Sequence, residues 1–174
     1  MADALQVGGR VGKILRLFRA CERLVSAFRG RFEDYAATLT ANEDGTLRLE
    51  GRVSADSISV KDDNLAAHLK APDFFDTERH PYVTFSSTLV RTENGELIVD
   101  GELTIKGHTR PIEARGTLTE PAVTFGDVEK VGLELEAIVD RTEYGLTWNA
   151  PLPKGGFALA NEVKLQVSLE LAKA

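Results

Sequence analysis

The sequence lacks the cysteines of a disulfide framework, the net positive charge of a nucleic-acid-binding surface and the long apolar run of a membrane span. Cys21 is the single cysteine among 174 residues, which excludes an internal disulfide and suits a reducing compartment. The formal net charge of −6 disfavours nucleic acid as the main partner, because phosphate binding needs a basic face. No apolar run reaches bilayer length, and Arg16 and Arg19 interrupt the apolar residues where a secretory signal would lie. We therefore expect a cytoplasmic protein.

The chain does have enough apolar sequence for one core. At 174 residues, of which 43% are hydrophobic, it is long enough for one sizeable domain and too short for two. Apolar residues alternate with polar ones in seven clear segments, and an eighth segment stays open. The segments begin near Tyr35, Leu47, Val83, Leu97, Ile112, Val131 and Val163. Short turns connect most of them, so the pattern predicts an all-β, antiparallel meander that closes into a barrel.

One helical insert interrupts the strands, at about residues 61–71. Its apolar residues recur at helical spacing behind Asp62, which suits a helix N-terminus, and Pro72 ends it. Phe74 and Phe75 follow in a polar frame. We expect this insert to lie across the barrel as a lid, with the two phenylalanines pointing inward.

The N-terminal residues show a second helical period. From Val11 to Phe28 the apolar residues recur every three or four positions, and Lys13, Arg16, Arg19 and Arg23 lie between them. This pattern predicts a basic amphipathic helix, which either contacts anionic lipid or covers part of the barrel as an ordinary terminal helix. We assign residues 1–24 to this atypical segment and residues 25–174 to the barrel domain.

Several motifs in the barrel domain resemble one known family. They are VSAFRGRF (25–32), HLKAPDFFD (68–76), RHP (79–81), GELTIKGHTRP (101–111), DRTEYGLTWN (140–149), GG (155–156) and NEV (161–163). In these motifs the chain is similar to the YceI-like family from about Val25 to Leu171. The resemblance implies a lipocalin-like antiparallel barrel, and characterised members bind a polyisoprenoid chain inside it. Members are often periplasmic or secreted, in contrast to the location expected above.

The chain departs from the pattern of the family at its start. Members usually open with an Asp-x-x-His-Ser strand that runs into the Arg-Gly-Arg-Phe segment, whereas residues 12–24 here have a helical period and no such motif. Either the helix replaces the first strand and leaves a gapped barrel, or the N-terminus is an atypical or misread start.

Small residues at inward positions predict unfilled space inside the barrel. An eight-stranded barrel has room for one small ligand, although inward glycines could equally relieve strand twist. The small inward residues are Gly51, Gly101, Ala114, Gly116 and Ala137. The candidate ligand-binding residues are Leu69, Phe74, Phe75, Phe85, Leu89, Leu103, Ile105, Leu133, Leu135, Trp148, Leu165 and Val167, with Phe74, Phe75 and Trp148 at the rim. Ordinary core packing is the alternative for each of them.

Patterns that would indicate catalysis or metal binding are missing. The three histidines, His68, His80 and His108, do not have metal-ligand spacing, and none lies in a nucleophile motif. Three arginines near strand ends could meet a polar head group or simply be solvated: Arg29, Arg31 and Arg141. We therefore expect no catalytic residue, no metal and no cofactor apart from a bound polyisoprenoid or isoprenoid quinone.

These observations and the resemblance together predict a non-catalytic lipid-binding protein. It would hold or transport a long apolar chain, and its affinity would come from apolar area removed from water, at about 25 cal/mol per Å². The expected partners are the apolar lipid and, through the basic N-terminal helix, a membrane surface; a homodimer stays open. Two alternatives remain: an isomerase or hydrolase acting on an apolar substrate in the same pocket, and a filled barrel with an interaction role.

Overall fold

The computed structural model describes residues 3–7, 16–17, 29–123 and 129–173. The strands in chain order are β1 (Asp3–Val7), β2 (Arg16–Leu17), β3 (Arg31–Phe32), β4 (Tyr35–Ala41), β5 (Leu47–Ser54), β6 (Ile58–Ser59), β7 (Tyr82–Glu93), β8 (Glu96–Ile105), β9 (His108–Leu118), β10 (Ala122–Val123), β11 (Glu129–Asp140) and β12 (Glu162–Lys173). One α-helix, α1 (Asp63–Lys70), lies between β6 and β7 in this described part. No helix among these residues has the length and apolar character needed to cross a bilayer.

The strands pair antiparallel and curl into a barrel. Seven strands follow one another around the wall in the order β4, β5, β7, β8, β9, β11 and β12. β1 lies between the two ends of this curled sheet, paired on one side with β4 and on the other with β12. The prediction of an all-β, antiparallel barrel of seven to eight strands is confirmed.

The start of the chain differs from its prediction. β1, and not the predicted helix, occupies the place of the first strand: it pairs with β4 at five positions and meets β12 at two. That predicted helix falls mostly outside the described residues. Arg16 and Leu17 are described, and they pair with β12 as an extended segment rather than a helix. The backbone groups of β12 offer these two residues partners that the helical period could not reveal.

The helical insert forms where it was expected. α1 follows Asp62, whose carboxylate accepts a hydrogen bond from the Leu65 N–H at 3.0 Å and so caps the helix. The helix ends at Lys70, two residues before Pro72. Leu69 on its inner face is buried. Together, α1 and residues 71–80 form a segment across one end of the barrel, which we call the lid.

An irregularity in β7 moves one predicted inward residue to the outside. Val83 and Phe85 face the interior, but the register of β7 against β8 shifts between Ser87 and Leu89. Beyond this β-bulge Val90 packs inward, and Leu89 is 52% exposed. The prediction that Leu89 faces inward is therefore wrong, because one extra residue in the strand reverses the two-residue period.

Two buried clusters lie inside the barrel, one toward each end. The lid-end cluster consists of Phe32, Ala55, Ile58, Leu69, Phe74, Phe75, Leu103, Ile105, Val139, Tyr144, Leu146 and Val163. The far-end cluster consists of Ala37, Leu39, Leu49, Leu97, Val99, Ala114, Val131, Leu133, Leu135, Ala137 and Leu171. Phe85, Ile112 and Leu165 are partly buried and pack against both clusters. The candidate site lies where the two clusters meet.

Candidate apolar cavity

An apolar cavity of about 150 Å³ lies between the two clusters. The lid-end cluster contributes Phe32, Phe75, Leu103 and Ile105 to its wall, and the far-end cluster contributes Ala37, Leu49, Ala114, Leu135 and Ala137. An apolar cavity of roughly this volume stays dry and admits a molecule the size of benzene. Such a cavity binds a ligand chiefly by removing hydrocarbon from water, and Tyr35 on β4 adds a phenol to its otherwise apolar inward face.

Small residues on three strands of the wall, β5, β9 and β11, help to leave this space open. Gly51, Ala114 and Ala137 all line the cavity. A Cβ added at Gly51 would approach only the carbonyl oxygen of Ala36, at an ordinary contact distance of 3.7 Å. The expectation that small inward residues leave unfilled space holds for these three positions.

The other two inward glycines serve close packing instead. At Gly101 a Cβ would collide with the ring of Phe85 and with the carbonyl oxygen of Ser86. At Gly116 it would collide with the backbone of Glu134 on β11. Both positions therefore need glycine because a neighbouring group occupies the space, and neither adds volume to the cavity.

The structure places the predicted ligand-binding residues in three settings. The cavity wall contains Phe75, Phe85, Leu103, Ile105, Leu135, Leu165 and Val167. Leu69 and Phe74 are buried in the lid-end cluster, and Leu133 is buried in the far-end cluster. Trp148 is 36% exposed on the outer side of the lid, and Leu89 lies outside the barrel. The strands thus bring together most of their predicted residues, whereas only Phe75 of the three predicted rim residues reaches the cavity and Phe74 packs against Trp148 instead.

The wall also contains residues that were not singled out from the sequence. They include Phe32, Tyr35, Leu49, Val53, Val83, Ile112 and Leu169. The alternation along β5, in which Leu49, Gly51 and Val53 share one face, was a signal that could have identified two of them. Phe32 had no such signal, because β3 is only two residues long and its partner β6 is equally short.

Aromatic rings close the cavity beneath the lid. The rings of Phe32 and Phe75 meet edge to face with their centroids 5.7 Å apart, and both line the cavity. The neighbouring Phe74 packs against Trp148, with the ring centroids 5.5 Å apart, and against His68 at 4.9 Å. The two adjacent phenylalanines are both buried, as predicted, but only Phe75 reaches the cavity.

A few hydrogen bonds hold the lid in place. The Phe75 N–H donates to the carbonyl of Leu69 at 3.0 Å, which folds the segment back onto α1. Lys106, in the turn between β8 and β9, donates from its ammonium group to the carbonyl of Pro72 at 2.6 Å. Lys70 and Thr77 of the lid also contact the carboxylate of Asp56, between β5 and β6, at 3.5 and 3.4 Å. Side chains and turns therefore fasten the lid, which is not paired into the sheet.

Arg141 is buried and holds the segment that follows β11. Its Nη1 donates to the carbonyls of Leu146 and Trp148 at 2.6 and 2.8 Å, and its Nε donates to the carbonyl of Ala160 at 2.8 Å. Burial lowers the pKa of Arg141 from its ordinary value. Neither expectation for this residue, a head-group contact or a solvated charge, describes it. Of the other two arginines, Arg31 is exposed and pairs with a neighbouring carboxylate, and Arg29 is exposed.

The hydroxyl of Tyr144 is buried without a hydrogen-bond partner among the described residues. Tyr144 is 1% exposed, and burial raises its pKa to about 12. The phenol is therefore neutral at physiological pH. Within the described ranges no group of three or more His, Cys, Asp and Glu is arranged to hold a metal ion.

Comparison with known proteins identifies the family. The model of the YceI-like domain matches residues 12–171. The chain belongs to the YceI-like family. A UPF0312 protein of Staphylococcus aureus (strain bovine RF122 / ET3-1) is 32% identical over 161 residues, which are 89% of this chain and 90% of the relative. A UPF0312 protein of S. aureus strain N315 is 31% identical over the same shares of the two chains.

Solved structures show the same fold. The YceI protein of Campylobacter jejuni superimposes with a TM-score of 0.75 at 20% identity, covering 97% of this chain and 92% of that one. BcnA of Burkholderia cenocepacia superimposes with a TM-score of 0.70 at 15% identity, covering 99% and 94%. The YceI-like chain thus has a lipocalin-like fold, which is consistent with the binding of an apolar ligand. The names of the S. aureus relatives indicate no catalytic activity.

Proposed function

We propose that this YceI-like protein is a non-catalytic carrier that holds a long apolar lipid, of the polyisoprenoid or isoprenoid-quinone type, inside its barrel. The observation that carries the proposal is the cavity between the two clusters, with aliphatic and aromatic side chains on its inner wall. An isoprenoid tail has no hydrogen-bonding groups, so its affinity must come from apolar area removed from water. A wall of this composition suits that ligand class.

The size of the cavity adds a requirement. Pockets for drug-sized ligands measure about 300–1,000 Å³, whereas this cavity measures about 150 Å³. A long chain therefore needs extra room, which we expect from movement of the lid. Phe75 lies at the boundary between lid and cavity, and its displacement would extend the space toward α1.

The alternative of an isomerase or hydrolase has less support from the site. Such an enzyme would need polar groups aimed at its substrate; apart from Tyr35, the polar residues that border the cavity alternate with the inward ones along their strands. Glu50, Arg52, Thr84 and Glu136 are all exposed. A filled barrel with an interaction role does not fit a cavity of this volume.

Native mass spectrometry of freshly purified protein, followed by organic extraction, tests the proposal directly. We expect co-purifying isoprenoid lipid, or uptake of an added isoprenoid quinone by the empty protein. An empty protein that takes up neither quinone nor polyisoprenoid would contradict it.

A matched pair of charge substitutions on β11 tests where the lipid lies. Leu135 lines the cavity and is 4% exposed, so Leu135→Arg should reduce quinone uptake at least about tenfold by placing a charge among apolar walls. Ile138→Arg on the outer face, where Ile138 is 69% exposed, should leave uptake unchanged. Because a buried arginine also destabilises the fold, Ala137→Phe provides a second variant that fills the cavity with apolar atoms. Full uptake by both interior variants would contradict binding in the cavity.

A further inference from the structure

A short hairpin next to the lid exposes apolar side chains to solvent. It spans residues 150–158, which we call the hairpin tip, and an isolated bridge joins Pro151 to Phe157. Phe157 is 68% exposed and Leu152 is 46% exposed. Trp148 lies just before the tip and is 36% exposed. Three large apolar residues are thus exposed within ten residues of chain.

The hairpin tip is held in this shape by its own hydrogen bonds. The Leu152 N–H donates to Gly156 O at 3.0 Å, and the Ala158 N–H donates to Ala150 O at 2.9 Å. At the base, the Asn149 side chain accepts from the Leu159 N–H and donates to the Leu159 carbonyl, at 2.9 and 2.7 Å. The exposed apolar side chains therefore belong to an ordered element. Because some of its backbone groups are already hydrogen-bonded to each other, moving the hairpin tip out of water costs less free energy.

The charge around the hairpin tip differs from that of the whole chain. Residues 145–161 contain no Asp or Glu, although the chain carries a formal net charge of −6. The only charged residue in this stretch is Lys154, in the turn of the hairpin. These residues match the layers of a phospholipid surface. The exposed Leu and Phe suit the hydrocarbon layer, the cation suits the phosphates, and the tryptophan suits the interface between membrane and water.

We propose that the hairpin tip is a membrane-docking element that inserts Leu152 and Phe157 into the boundary between head groups and acyl chains, with Lys154 at the lipid phosphates. The tip is a protruding turn and not a groove, so its shape suits a deformable surface. Docking does not depend on the cargo of the cavity. It would also bring the bilayer next to the lid, since Trp148 at the base of the tip packs against Phe74.

The single tryptophan of the chain reports on this contact. The experiment mixes the full chain with vesicles of phosphatidylcholine and phosphatidylglycerol that contain no isoprenoid, so failure of lipid uptake by the cavity would not affect the result. We expect the protein to float with the vesicles, the Trp148 emission to shift to the blue, and brominated acyl chains to quench it. Absence of flotation, or flotation with an unchanged Trp148 spectrum, would overturn the proposal.

Substitutions separate the hairpin tip from the rest of the surface. The double variant Leu152→Ser with Phe157→Ser should lower the vesicle partition coefficient about tenfold or more, because it removes the inserted apolar area. Val123→Ser is the matched control: Val123 is 69% exposed, close to the value for Phe157, and lies on β10, which pairs with the end of β11 farthest from the lid. Residues 1–28 are unchanged in all variants. Equal binding by the double variant and the wild type would therefore assign binding to another segment and overturn the proposal.

Two further measurements test the role of charge and the competing occupant. Lys154→Gln should weaken binding to phosphatidylglycerol-containing vesicles about fivefold and leave binding to pure phosphatidylcholine nearly unchanged. No change on either surface would overturn the placement of Lys154 at the phosphates. Sedimentation without vesicles should show the same oligomeric state for wild type and double variant. A dimer that only the wild type forms would assign the hairpin tip to contact between two copies and overturn membrane docking.

Discussion

The two ends of the barrel are closed by different kinds of structure. The far end is filled by aliphatic side chains of regular strands, among which Leu133 is 1% exposed and Leu171 is fully buried. The lid end is closed largely by aromatic residues outside the barrel strands, including Phe74, Phe75 and Tyr144. An end closed by strand residues cannot open without loss of sheet pairing, whereas a lid can move while every barrel strand stays paired. The difference leads us to expect ligand exchange at the lid end.

The largest effect should come from the buried cation of the lid end. Arg141→Met removes the hydrogen bonds to the carbonyls of Leu146, Trp148 and Ala160, and should lower the free energy of unfolding by about 3–5 kcal/mol. The exposed Arg31→Met is the control and should change it by less than about 1 kcal/mol. Urea denaturation measures both. Equal, small losses would show that the segment after β11 does not depend on Arg141.

A pair of truncations compares the two ends directly. Phe75→Ala and Leu133→Ala should each cost about 3 kcal/mol of unfolding free energy, because both side chains are almost fully buried. Only Phe75 borders the cavity, so only Phe75→Ala should speed the uptake of a fluorescent apolar probe in stopped flow. If Leu133→Ala speeds uptake by as much as Phe75→Ala, the two ends are equivalent and the comparison fails.

The smallest effect at neutral pH should come from Tyr144. Because its buried hydroxyl has no partner among the described residues, Tyr144→Phe should raise the free energy of unfolding by about 1 kcal/mol at pH 7. The wild type should also lose about 2 kcal/mol relative to the variant as the pH rises from about 10 to 12. This follows because the phenol ionises near pH 10 in the unfolded chain and the folded protein raises its pKa to about 12.

The control for this prediction is Tyr82→Phe, since Tyr82 is 48% exposed. Its unfolding free energy should follow that of the wild type at both pH values. Parallel pH profiles for the wild type and Tyr144→Phe would contradict the burial of the phenol.

The long strands and α1 were predictable because each has a regular spacing of apolar residues and recognisable residues at its ends. β11 alternates over its whole length, and Asp62 caps α1 as an acidic residue before a helix should. β1 and β3 were not predictable in this way, since they are short and their partners lie far away in the sequence. The resemblance to the family predicted the barrel fold, but it did not predict β1, because the motifs that carry the resemblance begin only at residue 25.

The candidate site was predictable where the two-residue period continues and unpredictable where it breaks. Leu103, Ile105 and Leu135 reach the cavity because their strands are regular there. Leu89 does not, because the bulge after Ser87 leaves no mark in the hydrophobic pattern. Arg141 gave no sign of its burial, since the carbonyls that it binds come together only when the segment after β11 folds back.

The pairing of β1 with β12 has a consequence for the order in which the molecule is made. Leu5 lies opposite Lys173, so the pairing of β1 with β12, which we call the seam, joins residues that are far apart in the sequence. The neighbouring strands β7, β8 and β9 can associate while the chain is still growing, but the seam must wait until synthesis has passed β12. Until then the nascent sheet carries unpaired edges, which makes this interval the period in which a growing polypeptide is most exposed to aggregation.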